Sequence, residues 1–160
     1  MNLQTHARLL LCATVLGAAC LIQTPALADA ASDAAKVERL LKQSGYAYEK
    51  KRDDVWVVVQ HGDNLPDFKV VLATGDGLLV TFVTFARKSQ MDLNPDFLTK
   101  LLRLNSDLDR IKILIDDDGD AAVRIDASIR VLDADELKEI IHQVAASSDE
   151  VYGKIKPDLH

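Results

Sequence analysis

Apolar and polar positions alternate along this chain in two periods, and the switches between them mark its elements. Val37, Leu40 and Leu41 recur at helical spacing, predicting a helix from Asp33 to Ser44. Ser32 is its expected N-cap and Gly45 its left-handed stop, after a loose stretch from Asp29 to Ala31. Tyr46 to Lys50 alternates at period two, which reads as a strand, and Arg52-Asp53-Asp54 is a turn. Val55 to Val59 is β-branched and aromatic, the strongest strand signal in the sequence. Phe68–Thr74 and Leu78–Ala86 are two more strands, joined by the hairpin residues Gly75-Asp76-Gly77. Leu78, Val80 and Phe82 lie on one side of the last strand, and Leu79, Val83 and Phe85 on the other. Such a strand is expected in the middle of a sheet with both sides covered, unless a partner chain supplies one of the covers.

The second half of the chain shows the same two periods. Asn94 caps and Pro95 opens a helix whose wide apolar face holds Phe97, Leu98, Leu101, Leu102 and Leu104. Asn105-Ser106-Asp107 ends it. A strand follows from Asp109 to Ile115, then the acidic turn Asp116 to Asp120. The next strand alternates cleanly. Val123, Ile125, Ala127, Ile129 and Val131 face inward, and Arg124, Asp126, Ser128 and Arg130 face water. One water-facing side marks an antiparallel sheet. Asp133 and Glu136 resemble a capping box for a third helix with Leu137, Ile140, Ile141 and Val144 as its buried stripe. Lys154 to His160 reads as a frayed tail. The order helix, four strands, helix, two strands, helix predicts an α+β domain. About six antiparallel strands are flanked by three helices.

The N-terminus has a different pattern. His6 and Arg8 precede an apolar run from Leu9 to Ile22, and Ala26-Leu27-Ala28 follows a short polar stretch. Basic start, apolar centre and small-residue box form a secretory leader, with cleavage expected between Ala28 and Asp29. The run is shorter than the roughly 20 residues a membrane-crossing helix needs. Residues 29–160 are then the working domain, expected in the periplasm and without a transmembrane helix. The alternatives are an uncleaved anchor and a lipoprotein lipidated at Cys20, although Gly17 stands where a lipobox carries Leu. Cleavage would remove both cysteines, Cys12 and Cys20, leaving no thiol chemistry and no disulfide. The whole chain carries a formal charge of −6, and the leader contributes only the basic Arg8. So acidic a surface argues against nucleic acid as a partner.

Candidate chemistry is sparse. Asp116-Asp117-Asp118-Gly119-Asp120 invites a calcium reading, but placing Gly119 as an EF-hand glycine puts Leu114 where the first carboxylate belongs. A solvated hairpin is the simpler reading. His61, His142 and His160 have no paired metal-binding spacing, and no nucleophile elbow or phosphate loop is present. Ser147-Ser148 reads as surface. These observations lead us to expect no catalytic, metal or cofactor-binding residues. Trp56, amid valines, reads first as core. With Tyr46, Tyr48, Phe82 and Phe85 it also forms a tentative binding surface.

The segment from Leu101 to Leu108, with Leu104-Asn105 near its helix end, precedes Lys112 to Ile115, the acidic Asp-Gly turn and Val123-Arg124. This succession resembles the YbjN family, described as bacterial sensory transduction regulators. The resemblance covers nearly all of residues 29–160 in element order and is specific in residues over the second half. It implies a fold like that of type III secretion chaperones and a binding or regulatory role without known catalytic residues. Leu104-Asn105 is structural on this reading. A protein or peptide partner is expected, or a homodimer, with contact through a sheet face or helix groove. A small-ligand sensor and, further off, a hydrolase are the alternatives. Export and the acidic charge both argue against direct control of transcription.

Overall fold

The computed structural model describes residues 25–160. Helix α1 (Pro25–Ser44) leads into β1 (Glu49–Arg52), β2 (Val55–Gln60), β3 (Phe68–Gly75) and β4 (Leu78–Ala86). Then come α2 (Pro95–Ser106), β5 (Lys112–Ile115), β6 (Ala121–Ser128) and α3 (Ala134–Ile155). The six strands form one antiparallel sheet in the order β1-β2-β3-β4-β6-β5. The expected α+β architecture is therefore present.

Only one face of the sheet is covered by α1 and α3. Leu137, Ile140, Ile141 and Val144 of α3 are fully buried. They share a single core with Trp56, Leu72, Leu79, Val83, Val123 and Ile125 from the sheet. Each such side chain contributes about 1.5–3 kcal/mol by leaving water. Lys36 ties α1 down by donating to the carbonyls of Ile129 (2.5 Å) and Arg130 (3.1 Å). Helix α2 runs beside the β5 edge, burying Phe97 and Leu101.

The helix starts fit their sequences. The Asn94 side chain accepts from the Phe97 amide, with Pro95 in the first turn. Asp133 accepts from the Glu136 amide, while Glu136 turns instead to Arg110. Half of the capping box is thus used. Gly45, at φ +81°, ends α1 in the left-handed conformation that glycine adopts most readily.

Five local expectations are corrected. Asp29–Ala31 is helical and Ser32 is an exposed residue inside α1, since the alanine-rich stretch after Pro25 favours helix throughout. The first strand begins at Glu49, because Tyr46 and Tyr48 pack partly into the core before the chain reaches the sheet edge. Strand β6 stops at Ser128. There the Ile129 amide donates to the Gly77 carbonyl of the β3–β4 turn, and Ile129–Val131 becomes a 3-10 turn. Val131 is consequently 73% exposed, not inward-facing. Ser148 is fully buried, its hydroxyl donating to the Val144 carbonyl at 2.6 Å. The tail is docked: Val151 and Ile155 are core residues, Lys100 meets Asp158 at 2.6 Å, and the His160 amide donates to Gln90.

Candidate functional site

The outer face of the sheet, opposite the helices, is the surface most out of keeping with a water-exposed sheet. Strand pairing sets its side chains in rows. One row runs Glu49, Val57, Val71, Phe82, Arg124, Lys112 across all six strands. A neighbouring row runs Val55, Ala73, Val80, Asp126. Val55, Val71, Ala73, Val80 and Phe82 are half-buried and Val57 is buried, and no described helix lies over this face. Leu78 and Val59 are exposed at the margins, Val59 by 55%. Strand β4 is central as expected, but the described chain covers it on one side and not on both: its odd-numbered positions from Leu79 lie under the helices, and its even-numbered positions up to Thr84 do not.

Charges border this apolar ground on the β6–β5 side. Asp126 accepts from Arg124 Nε at 2.6 Å and from Lys112 Nζ at 2.7 Å. Burial alone would push the Asp126 carboxyl up, but these two cations hold it below its ordinary value. The carboxylate in turn holds Arg124 beside Phe82 and draws Lys112 in from the next strand.

The five residues of the tentative surface do not come together. Trp56 is fully buried and Phe85 is 4% exposed. Both belong to the core, Phe85 where the β4–β6 register shifts between Thr84 and Ala86. The sequence shows two apolar faces on β4 but cannot say which one the helices take. Tyr46 and Tyr48 are half-buried before β1, and burial together with nearby Glu139 raises the Tyr46 hydroxyl above its ordinary value. Only Phe82 lies on the outer face. Ala26, Ala28 and Asp29 fall in the first turns of α1. His6, Arg8, Cys12, Gly17, Cys20 and the Leu9–Ile22 run lie outside the described residues.

Several polar groups hold this frame together. Asn105, in the last turn of α2, accepts from the Ile113 amide at 2.9 Å. The side chain satisfies an outward-facing amide on edge strand β5, which gives Leu104-Asn105 its structural role. In the acidic hairpin, Asp116 accepts from the amides of Asp118 and Asp120, and Gly119 adopts φ +87°. Asp120 accepts from the Lys88 amide (2.8 Å) and from Arg87 Nη1 (2.6 Å), in that order the causes that lower its carboxyl. Asp149 of α3 accepts from the amides of Asn64 (2.8 Å) and Leu65 (2.7 Å), clamping the β2–β3 loop onto the helix. Gly62 and Gly153 line this clamp, where a Cβ would collide with Asp149 and Asn64 respectively. Sequence reading missed the clamp because its partners are more than 80 positions apart.

The cavities gather little chemistry. One of about 500 Å³ is lined by Asp29, Asp33, Asp54 and Asp76. Another, of about 270 Å³, is an apolar groove between α2 and β5, with Leu98, Leu102 and Leu114 on its walls. Among the described residues, no group of three His, Cys, Asp or Glu side chains is arranged to hold a metal. None of the described helices is long and apolar enough to cross a membrane.

The chain has a solved structural neighbour of the same architecture. It is a chain of the heterodimeric complex ExoU-SpcU from the type III secretion system of Pseudomonas aeruginosa. The two share 20% identity and a TM-score of 0.52, over 78% of this chain and 98% of that one. At that identity the likeness establishes the fold. No curated protein matches the chain. A family model, YbjN, described as "putative bacterial sensory transduction regulator", matches residues 33–157, from the first helix through the docked tail. The chain belongs to the YbjN family.

Proposed function

We propose that this protein is an exported, non-enzymatic protein-binding module that engages its partner through the outer face of the sheet. The observation that carries this reading is the row Val57, Val71, Phe82, with Val80 beside it, which no described helix covers. A sheet with one face in water normally alternates apolar-in and polar-out. Here β2, β3 and β4 keep apolar residues on both sides, and contiguous apolar ground of this kind marks interaction sites. Membership of the YbjN family and a structural neighbour solved in a heterodimeric complex support a binding role. Export is supported by the leader pattern ending at Ala26-Leu27-Ala28.

Two measurements test the reading. The mass of the protein purified from cells should correspond to a chain beginning at Asp29. Affinity capture from the periplasm should recover a partner with the wild-type chain and lose it with Phe82→Asp, while circular dichroism stays unchanged. An unchanged set of captured proteins with Phe82→Asp would remove the outer face as the binding site.

A further inference from the structure

The outer face has a direction, and the direction specifies a partner. From β2 to β5, the row Val57, Val71, Phe82, Arg124, Lys112 passes from three apolar side chains to two cations. Lys69, exposed on β3 beside Val59, adds a third cation at the margin and has no ion-pair partner among the described residues. Two described carboxylates share this face: Glu49, at the β1 end of the row and paired with Lys51, and Asp126, shared by Arg124 and Lys112, so the cations outnumber them. This ground is therefore locally cationic in a chain whose formal charge is −6.

Building on the proposed outer-face binding, we infer that the partner presents an acidic-ended amphipathic helix, laid across the strands along this row. Its apolar stripe covers Val71 and Phe82, and its carboxylates meet Arg124 and Lys112. Strand spacing of about 4.8 Å makes the row roughly 19 Å long from β2 to β5, the length of about 13 helical residues. Apolar contact supplies most of the affinity, and the charged end sets orientation and excludes basic segments. Asp126 preorganises the cations, so the incoming carboxylates meet side chains already held in place.

The test uses the full chain and two synthetic helical peptides of equal length with the same leucine stripe. One carries glutamates over its last turn and the other lysines. Backbone amide shifts follow each titration. The Glu-ended peptide is expected to bind saturably and to move the signals of Val71, Phe82 and Arg124. The Lys-ended peptide is expected to bind about tenfold more weakly, with the difference shrinking in high salt. The double variant Lys112→Glu/Arg124→Glu should reverse the preference, and Phe82→Asp should weaken both peptides. Equal binding of the two peptides on this face would overturn the acidic-partner inference and leave outer-face docking standing. Shifts confined to Leu98 and Leu102 on α2, or no binding by either peptide, would overturn the inference; the α2 result would also count against the outer face. A concentration-dependent dimer that buries Phe82 would replace the peptide with a second copy and overturn the inference as well.

Discussion

Thr81 and Phe82 are neighbours in the chain and live in different surroundings. Thr81 faces the helices and is fully buried, while Phe82 faces away from them and is half-buried only by its neighbours on the same face. The contrast extends to the whole sheet. The inner face is closed by two helices, the Asp149 clamp and a docked tail. The outer face is equally apolar across β2 to β4 and closed by nothing in the described chain. The inner face explains why the domain folds. The outer face contributes less to folding, and its composition makes sense if something else covers it.

The same charge placed on each face should have opposite consequences. Ile125→Asp puts an unpaired carboxylate among fully packed side chains at 2% exposure. It should cost about 4 kcal/mol or more, enough to unfold a marginally stable domain, as urea titration would reveal. Phe82→Asp on the outer face should leave a folded protein, so equal damage from both would erase the distinction between faces.

Loosening the helix layer is the next largest effect. Asp149→Ala removes the acceptor for two backbone amides and should cost about 1–2 kcal/mol by thermal denaturation. Burial pushes the Asp149 carboxyl up, but the Leu65 and Asn64 amides and the Asn64 side chain outweigh it, so its folded pKa lies below the ordinary value. Such a group adds stability above the unfolded pKa and loses it as pH falls. Wild-type stability should therefore fall more steeply than that of Asp149→Ala below about pH 4.

The buried hydroxyl of Thr81 has no hydrogen-bond partner among the described residues. Thr81→Val should then stabilise the protein by about 1 kcal/mol, read as a raised melting temperature. An effect no larger belongs to the outer face. Phe82→Asp should cost about 1 kcal/mol, because the half-buried ring loses part of its apolar contact while the new carboxylate stays within reach of water and of Arg124. A greater loss would mean that Phe82 serves the fold.

Much of this fold was legible because local periodicity and capping chemistry decide it. The Val55–Val59 run, the hairpin at Gly75-Asp76-Gly77, the Asn94-Pro95 helix start and the α3 stripe needed no distant information. What stayed hidden depends on contacts between distant residues. Alternation through Val131 looked unbroken until the Gly77 carbonyl claimed the Ile129 amide. Ser148 looked like surface because a serine late on a helix carries no mark of the side chains that enclose it. The candidate site was legible only in part. Period two put Phe82 and Trp56 on apolar strands, but only the helix positions show that Trp56 is core and Phe82 is not.

Site-specific photo-crosslinking would catch a partner on the outer face in place. A photoreactive phenylalanine analogue replaces Phe82 in the full chain and, as a control, Val131, which is 73% exposed away from the sheet. Irradiation in living cells should give one discrete adduct from position 82, none from position 131, and none from position 82 when Val80→Asp is added. Equal adducts from both positions, or none from position 82, would contradict the claim that the bare face of the sheet is where this protein meets its partner.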